Sequence, residues 1–337
     1  MSNNAAVMPE PGRIEIQDVG EPSAGPRDAI VQIEAVGVCG SDNAYYTVGR
    51  IGDYIVDGPI ILGHECSGTV LSVGDEVTGV SVGDRVAIEP GKPCRDCRDC
   101  MAGRYHLCPD LVFFATPPYD GSLVQRMAID ERQLFRMPDS MTFEQGALCE
   151  PLSVGIWACK RAGLEPGDRV LVTGAGPVGL LAAQVARAFG AASVTVADIA
   201  DFRLDMARGL GFDVEKAGEG TENDFDVLLE CSGAPTALAD GLWRLRTNGR
   251  AAMVGMPKQD VSLALSRLNV NELTIGLVNR YAHTWPIAID LVSSGRVDVD
   301  SLVTHRFALD QTAEALMLAK TVPDSVKAVI APQRLSA

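Results

Sequence analysis

The hydrophobic and polar positions of the chain follow one rhythm up to about residue 150 and another beyond it. In the first part, short alternating runs such as "AIVQIEAVGV" and "CSGTVLSVG" are separated by Gly, Pro and Asp. Alternation with a period of two is typical of half-buried strands, and "VTGVSVGDRVAIEP" adds glycine turns between further short strands. Residues 1–150 are therefore predicted to form a compact, β-rich, barrel-like domain.

From residue 151 onward, apolar runs alternate with helical patterns. "RVLVTG" and "SVTVAD" read as buried strands, whereas "PVGLLAAQVARAFG" and "DFRLDMARGLG" have helical spacing and end in glycine. The same alternation continues through "FDVLLECSG", "ALADGLWRLR", "RAAMVGM" and "ELTIGLV". It predicts a doubly wound parallel sheet over residues 151–283. Residues 284–337 hold two helical patterns and the strand-like "KAVIAP", which we expect to rejoin the first domain.

The junction "VLVTGAGPVGL" carries a dinucleotide-binding pattern between a strand and a helix. Gly174 makes the tight turn, Gly176 lets the backbone approach a pyrophosphate, and Gly179 lets helix and strand pack closely. Asp198 ends the next strand, where a carboxylate can bind a ribose 2′-hydroxyl but would repel a 2′-phosphate. The pattern predicts NAD in preference to NADP. The alternatives are a glycine turn without a ligand and a helix-capping role for Asp198.

A cysteine-rich loop, residues 92–109, is the first candidate metal site. Its spacing is C-x2-C-x2-C-x7-C, and its cysteines are Cys94, Cys97, Cys100 and Cys108. Four thiolates on a short loop form the closed tetrahedral shell of a structural zinc site. His106 is a fifth candidate ligand, but a tetrahedral site needs four. A redox pair, an iron–sulfur cluster and cysteines that have lost their metal are the alternatives.

The second candidate metal site is dispersed along the chain. "GVCGSD" supplies Cys39 in a glycine turn, "GHE" supplies His64 and Glu65, and "CEP" supplies Glu150. A thiolate, an imidazole and a carboxylate that leave a fourth position open are typical of catalytic zinc. Each residue alone is more typical of a protein core, so the prediction depends on the whole set.

Composition narrows the classes of function. The 337 residues carry a formal net charge of −15, which argues against a general affinity for nucleic acid. Nine cysteines, with no basic and apolar leader predicted near the N-terminus, indicate a reducing compartment, and we expect a cytoplasmic protein. The most apolar window, 170–190, contains glycines, a proline and Arg187, and the strand–turn–helix pattern explains it better than a membrane span.

These motifs together resemble the zinc-dependent medium-chain dehydrogenase/reductase family. The longer phrases "YYTVGRIGDYIVDGPIILGHECSGTV", "GRYHLCPDLVFFATPPYDG", "GALCEPLSVG" and "NRYAHTWPIAI" are similar to its sorbitol (L-iditol) and xylitol dehydrogenase branch. The similarity runs from about Ala29 to the end of the chain. It implies a GroES-like catalytic domain at 1–150, a Rossmann domain at 151–283 and a C-terminal segment, 284–337, that returns to the catalytic domain. It also implies a homo-oligomer, often a tetramer.

The resemblance assigns expected roles to particular residues. Cys39, His64 and Glu65 correspond to the catalytic zinc ligands, Glu150 to the acidic residue that binds or replaces the zinc-bound water, and Ser41 to the first member of a proton relay. The expected substrate-pocket residues are Tyr45, Phe113, Thr116, Arg280 and Tyr281. The expected cofactor-binding residues are Gly174, Gly176, Pro177, Val178, Gly179, Asp198, Arg203, Val254, Met256, Val278 and Arg280.

Two departures from the family pattern concern the proton route and the metal. Many relatives have a histidine where this chain has Ala44, so the last step of the relay differs. Cys149 stands beside Glu150 and could compete as a soft ligand, although we favour Glu150. The expected function is NAD- and zinc-dependent oxidation of a polyol to a ketose. The alternatives are a threonine or sugar-acid dehydrogenase and a non-catalytic protein that binds NAD and zinc.

Overall fold

The computed structural model describes residues 2–336 and divides them into two compact units. The first unit contains the described residues up to Glu150, together with Trp285–Ser293 and the described residues from Val299 onward. The second unit contains Pro151–Thr284 and Ser294–Asp298. Each unit is built on its own sheet.

The elements follow one another in a β-rich segment, an alternating segment and a short mixed segment. The first contains β1 (Asn4–Met8), β2 (Glu15–Asp18), β3 (Asp28–Gly37), α1 (Gly40–Val48), β4 (Arg50–Ile51), β5 (Tyr54–Ile55), β6 (Ile60–Ile61), β7 (Glu65–Val73), β8 (Arg85–Ile88), β9 (Gly91–Lys92), α2 (Arg98–Met101), β10 (Val112–Phe113), β11 (Arg126–Asp130), β12 (Leu134–Arg136) and α3 (Phe143–Ala147). The second contains α4 (Cys149–Arg161), β13 (Arg169–Thr173), α5 (Pro177–Ala188), β14 (Ser193–Asp198), α6 (Asp201–Gly209), β15 (Asp213–Lys216), β16 (Phe225–Glu230), α7 (Pro235–Trp243), β17 (Leu245–Met253), α8 (Leu265–Val270) and β18 (Thr274–Leu277). The third contains α9 (Trp285–Ser293), β19 (Val303–Ala308), α10 (Thr312–Thr321) and β20 (Lys327–Ala331).

The first unit is organised by a seven-stranded sheet of order β12-β8-β7-β3-β20-β19, with β11 also paired to β3. β3 alternates buried and half-buried positions along most of its length, as its sequence predicts. Its apolar side chains pack into a core that includes Met8, Ile33, Ile88 and Ile129. β20 pairs antiparallel with β3 and so brings the C-terminal segment into this sheet.

The second unit contains a six-stranded parallel sheet of order β15-β14-β13-β16-β17-β18. β13 lies between β14 and β16, so the strand order reverses on either side of it, and the carboxyl ends of such strands are where open parallel sheets bind ligands. The predicted doubly wound parallel sheet is confirmed. Leu171, Phe225, Leu228, Leu238 and Leu242 form a core cluster on this sheet.

One local prediction is wrong. "GVCGSD" was expected to be a glycine turn, but α1 begins at Gly40 with Cys39 as its N-cap. The Asp42 carboxylate accepts a hydrogen bond from the Cys39 backbone N–H at 3.0 Å, and this pairing of the cap with the third helical residue fixes the helix start.

Within residues 2–336, every helix is too short or too polar to cross a bilayer. The apolar window at 170–190 is divided between β13 and α5, which the glycine-rich turn separates.

Candidate functional site

The first unit brings together the side chains of Cys39, His64 and Glu65. One ligand atom from each lies within 4.8 Å of the others, although the three come from the cap of α1, the turn before β7 and the first residue of β7. His64 and Glu65 are buried and Cys39 is half-buried. A soft thiolate, an imidazole and a carboxylate in this arrangement fit a zinc ion with an open coordination position.

The Asp42 carboxylate contacts the His64 ring of this cluster and the backbone next to it. Its Oδ1 accepts the Gly63 backbone N–H at 3.0 Å and lies 3.5 Å from His64 Nδ1. Burial alone would lower the pKa of His64, but the charge of Asp42 and the Cys39 thiol raise it well above its ordinary value. A carboxylate on one ring nitrogen orients a histidine and leaves the other nitrogen available to a metal.

Glu65 is paired with a buried cation. Lys327, the first residue of β20, contacts Glu65 Oε1 at 2.6 Å and Oε2 at 2.5 Å, and it also donates to the Val38 carbonyl at 2.9 Å. The side chains of Lys327 and Glu65 are 3% and 1% exposed. Burial alone would lower the pKa of Lys327, but Glu65 and Cys39 raise it above its ordinary value. Gly37 makes room for the pair, since a β-carbon there would lie 2.1 Å from Glu65 Oε2.

Glu150 and Cys149 lie outside the three-residue cluster. Both are buried. The Cys149 thiol is directed at the Gln145 carbonyl, at 3.5 Å, and burial raises its pKa to about 12. Such a thiol is a weak competitor for a metal. The charge of Glu150 contributes to the raised pKa of Lys327.

The cysteine loop forms a second cluster in the first unit. The sulfur atoms of all four cysteines lie within 4.8 Å of one another; these are Cys94, Cys97, Cys100 and Cys108. Backbone N–H groups of Cys94 and Cys100 point at the sulfurs of Cys108 and Cys97, at 3.3 and 3.5 Å. Four convergent thiols supported by backbone donors fit a closed zinc site.

The second unit contains a cavity of about 420 Å³ at the carboxyl ends of its strands. Gly174, Gly176, Asp198 and Arg203 line it. Gly174 has a φ of +89°, and a β-carbon on Gly179 would lie 1.8 Å from the Gly174 carbonyl, so both positions need glycine. A β-carbon on Gly176 would meet nothing within 4 Å, which leaves open space beside the N-terminus of α5.

Asp198 fixes the turn that carries these glycines. Its Oδ2 accepts the Ala175 N–H at 2.6 Å and its Oδ1 accepts the Ala200 N–H at 2.8 Å. Each oxygen keeps a second acceptor position. The glycine turn, the helix N-terminus and the cavity-lining carboxylate together fit a dinucleotide with an unmodified ribose.

Two families of known domains match the two parts of the chain. Residues 25–139 match the alcohol dehydrogenase GroES-like domain, and residues 177–294 match the zinc-binding dehydrogenase domain. Sorbitol dehydrogenase of Bacillus subtilis is 41% identical, over 98% of this chain and 97% of that protein. Sorbitol dehydrogenase of Mus musculus is 42% identical, over 94% of this chain and 93% of that protein. The chain belongs to the zinc-dependent medium-chain dehydrogenases, in the sorbitol dehydrogenase branch.

Solved structures agree with this assignment. An oxidoreductase of unknown specificity from Escherichia coli superimposes with a TM-score of 0.93 and 33% identity, over 98% of this chain and 99% of that chain. L-idonate 5-dehydrogenase from Escherichia coli gives 0.92 and 26%, over 98% of both chains. The predicted family and the GroES-like and Rossmann fold of this dehydrogenase are confirmed, and NAD and zinc fit the family.

Three of the expected substrate-pocket residues of this dehydrogenase lie in the first unit. Phe113 lies beside the candidate metal cluster: its ring centroid lies 5.8 Å from that of His64. Tyr45 is buried on α1, six residues after Cys39, and Thr116 is half-buried in the turn that follows Phe113. Ser41, the expected relay residue, is half-buried in the first turn of α1.

The other expected residues of this dehydrogenase lie in the second unit. Arg280 is half-buried with a φ of +56°, and Tyr281 is 2% exposed. Pro177 and Val178 open α5. Val254, Met256 and Val278 follow the ends of β17 and β18.

Sequence reasoning missed two residues that contact the candidate metal cluster of this dehydrogenase, Asp42 and Lys327. Asp42 has a signal in the sequence, because an acidic residue three positions after a helix cap is a known start pattern. Lys327 has none: it lies 262 residues from Glu65, and only the pairing of β20 with β3 brings the two together.

Proposed function

We propose that the chain oxidises a secondary alcohol of a polyol to the corresponding ketose, with NAD⁺ as the acceptor. The observation that carries the proposal is the cluster of Cys39, His64 and Glu65, an open metal site in a chain with sorbitol dehydrogenase relatives along almost its whole length. Binding of NAD alone would need none of these three residues. The cluster therefore favours an enzyme over a non-catalytic NAD- and zinc-binding protein.

The residues of the chain divide the work of this reaction. Bound zinc supplies Lewis acidity toward the substrate hydroxyl, and bound NAD⁺ supplies the hydride acceptor. Ser41, in the first turn of α1, would be the first member of a proton relay: it would accept the hydroxyl proton while its own hydroxyl proton passes on to water. Cys39, His64 and Glu65 would hold the metal, and Asp42 keeps the His64 ring oriented. Glu150, which is buried in the same unit, would accept a hydrogen bond from water or from the substrate hydroxyl.

Acidic groups near the metal favour a substrate with several hydroxyls. Glu65 and Glu150 both lie buried in the first unit, and carboxylates accept hydrogen bonds from the hydroxyl groups of a polyol. The residues proposed for the substrate are Tyr45, Phe113 and Thr116 in the first unit, and Arg280 and Tyr281 in the second. Asp198 supports NAD in preference to NADP, because its carboxylate would repel a 2′-phosphate.

We further propose a cytoplasmic homo-oligomer, with a tetramer favoured. Within residues 2–336 all nine cysteines are free thiols, which suits a reducing compartment. β18 is the terminal strand of its sheet, and Leu277 on it is 67% exposed. Leu265 and Val270 on the preceding helix are 73% and 81% exposed, so the second unit presents apolar side chains that suit a second copy of the chain.

A substrate panel with two matched variants tests the proposed reaction. We expect reduced-cofactor absorbance with NAD⁺ and at least one of sorbitol, xylitol, ribitol, galactitol and the arabitols, and about two zinc ions per chain. His64→Ala should abolish turnover and keep the fold. Cys100→Ser should lower the melting temperature and remove one zinc ion while turnover persists. Activity on threonine or a sugar acid alone, or silence across the polyol panel, would contradict the proposal.

A further inference from the structure

A buried carboxylate lies below the dinucleotide cavity of the second unit. Glu230 is the last residue of β16, and its side chain is completely buried. Its strand pairs with β13, and Glu230 stands directly opposite Thr173, the residue before Gly174 of the glycine turn. The cavity is lined by Thr173 and Ser232 but not by Glu230.

The Glu230 side chain binds donors from two strand ends. Oε1 accepts the Ser232 backbone N–H at 2.8 Å, the Ser232 hydroxyl at 2.5 Å and the Gly233 N–H at 3.0 Å. It also lies 3.4 Å from the Thr173 hydroxyl. Backbone N–H groups can only donate, so this oxygen acts as an acceptor. The carboxylate thus joins the end of β13 to the turn that follows β16.

Glu230 also reaches a third strand end. Its backbone carbonyl accepts the N–H groups of Val254 and Gly255, at 2.8 and 2.9 Å, just beyond β17. A β-carbon on Gly255 would lie 2.7 Å from Glu230 Oε2 and 2.1 Å from the Gly233 nitrogen. The three strand ends therefore meet closely around one residue.

The same contacts shape the cavity wall. A β-carbon on Gly174 would lie 2.8 Å from the Ser232 backbone, so the turn held by Glu230 packs directly on the glycine turn. Within the part of the chain that the structure describes, no Lys or Arg forms an ion pair with Glu230. Its buried charge is compensated by the donors of these turns, and such a charge is costly when any of those bonds is lost.

We propose that Glu230 is the positioning residue for the dinucleotide. Its side chain holds the ends of β13 and β16 in one arrangement before the cofactor arrives, through Thr173 and Ser232, while its backbone carbonyl binds the residues after β17, Val254 among them. Pre-organisation of a binding surface improves affinity because less order has to be gained on binding. The inference rests on the proposed function, which places NAD at this cavity.

Glu230→Gln is the variant that tests it. The substitution keeps the size of the side chain but places an amide donor where Gly233 also donates. We expect the dissociation constant for NADH, measured by fluorescence titration, to rise on the order of tenfold. The kcat at saturating NAD⁺ and substrate should stay within about twofold, because a positioning residue for cofactor binding changes affinity more than turnover.

Asp168→Asn is the matched control. Asp168 is also a buried carboxylate of the second unit, where it accepts the Glu165 N–H and pairs with Arg250, each at 2.7 Å. It precedes β13 at the amino end, whereas Glu230 lies at the carboxyl edge of the sheet. The control should lower the melting temperature and leave the NADH dissociation constant unchanged. Equal losses of affinity in both variants would overturn the specific role of Glu230.

Amide hydrogen exchange keeps the proposal testable if the variant does not fold. In the wild type without cofactor, the amides of Ser232, Gly233, Val254 and Gly255 should already exchange slowly. Fast exchange that slows only when NADH is added would overturn the proposal. Absence of NADH binding by the wild type would instead overturn the proposed function, whereas normal wild-type binding with unchanged binding by Glu230→Gln would overturn only the role of Glu230.

Discussion

At the scale of single residues, the candidate metal cluster is positioned by side chains that are not themselves proposed ligands. Lys327 holds both oxygens of Glu65, one of the three ligand candidates, in a pair almost closed to solvent. The carboxylate thus has two alternative partners, the ammonium group and a metal ion. Removal of one partner should shift Glu65 toward the other.

Lys327→Met should therefore lower the stability of the metal-free protein and increase the stabilisation that added zinc provides. The metal-free variant should lose on the order of 3 kcal/mol of stability, since a buried carboxylate is left without a partner. Zinc supplies the missing positive charge, so it should raise the melting temperature of the variant by several degrees more than that of the wild type. Thermal unfolding with and without added zinc measures both effects.

Lys320→Met is the control for this prediction, because Lys320 is an exposed lysine of α10 bonded to the Thr47 hydroxyl. Its metal-free stability and its response to zinc should match those of the wild type. A zinc-dependent shift of equal size in Lys327→Met and the wild type would show that Lys327 does not compete with the metal for Glu65.

The contrast between these residues shows what the sequence could predict about the site. Cys39, His64 and Glu65 could be named because short motifs mark residue types with the right chemistry. Lys327 could not, because no local pattern separates a buried lysine in a strand from a surface one. Glu230 could not be predicted for a similar reason. An acidic residue at the end of a buried strand has the same sequence pattern as one that faces solvent.

At the scale of elements, the cysteine loop is linked to the body of the first unit through Glu89. The Tyr105 hydroxyl, within the loop, donates to Glu89 Oε1 at 3.0 Å. Burial raises the pKa of Glu89 to about 7, although hydrogen bonds from Tyr105 and Trp285 and the charge of Arg95 oppose the rise, and Glu150 adds to it. The loop is therefore hydrogen-bonded to a carboxyl group whose pKa lies near neutral pH.

The contribution of Glu89 to the free energy of unfolding should consequently fall as the pH rises from about 4.5 to about 7. Between pH about 4.5, the ordinary value, and pH about 7, the folded protein binds the Glu89 proton more tightly than the unfolded chain does. The stabilisation that protonated Glu89 gives the folded protein is therefore fully present below pH about 4.5 and is lost as the pH rises through about 7. It amounts to on the order of 3 kcal/mol.

Glu89→Gln keeps the hydrogen-bonding shape and removes the titration. Urea unfolding midpoints measured from about pH 5 to about pH 8 should decline less steeply in the variant than in the wild type. Parallel pH profiles for the two proteins would exclude Glu89 as the source of the slope. Metal-loaded protein is used throughout, so that the cysteine loop keeps its zinc.

The predicted elements also show where periodicity succeeds. Buried strands such as β13 and amphipathic helices such as α5 are long enough for their pattern to be unambiguous. α1 was missed because "GVCGSD" shows two glycines and no apolar stripe in its first turn. Its start depends on the bond between Asp42 and the Cys39 backbone, which is a matter of geometry rather than of hydrophobic spacing.

At the scale of the whole molecule, the change of rhythm near residue 150 reflects two sheets of different kind. The first unit has a sheet that is antiparallel except between β19 and β20, whereas the sheet of the second unit is wholly parallel. Fold class could be predicted because each kind of sheet imposes its own pattern on every strand. Association between chains leaves a weaker trace, since an apolar edge strand has the same pattern whether or not it is covered.

The exposed edge of β18 gives the test of the proposed oligomer. Leu277 projects from the terminal strand of the parallel sheet, and a charge there would have to be desolvated if a second copy paired along this edge. Leu277→Lys should therefore shift the mass in sedimentation equilibrium toward that of one chain, while circular dichroism stays unchanged. Val82→Lys, at a 64% exposed position in the first unit, is the control and should keep the wild-type mass. If Leu277→Lys also keeps that mass, the chains associate through another surface, because a buried lysine at a β-edge could not leave the assembly intact.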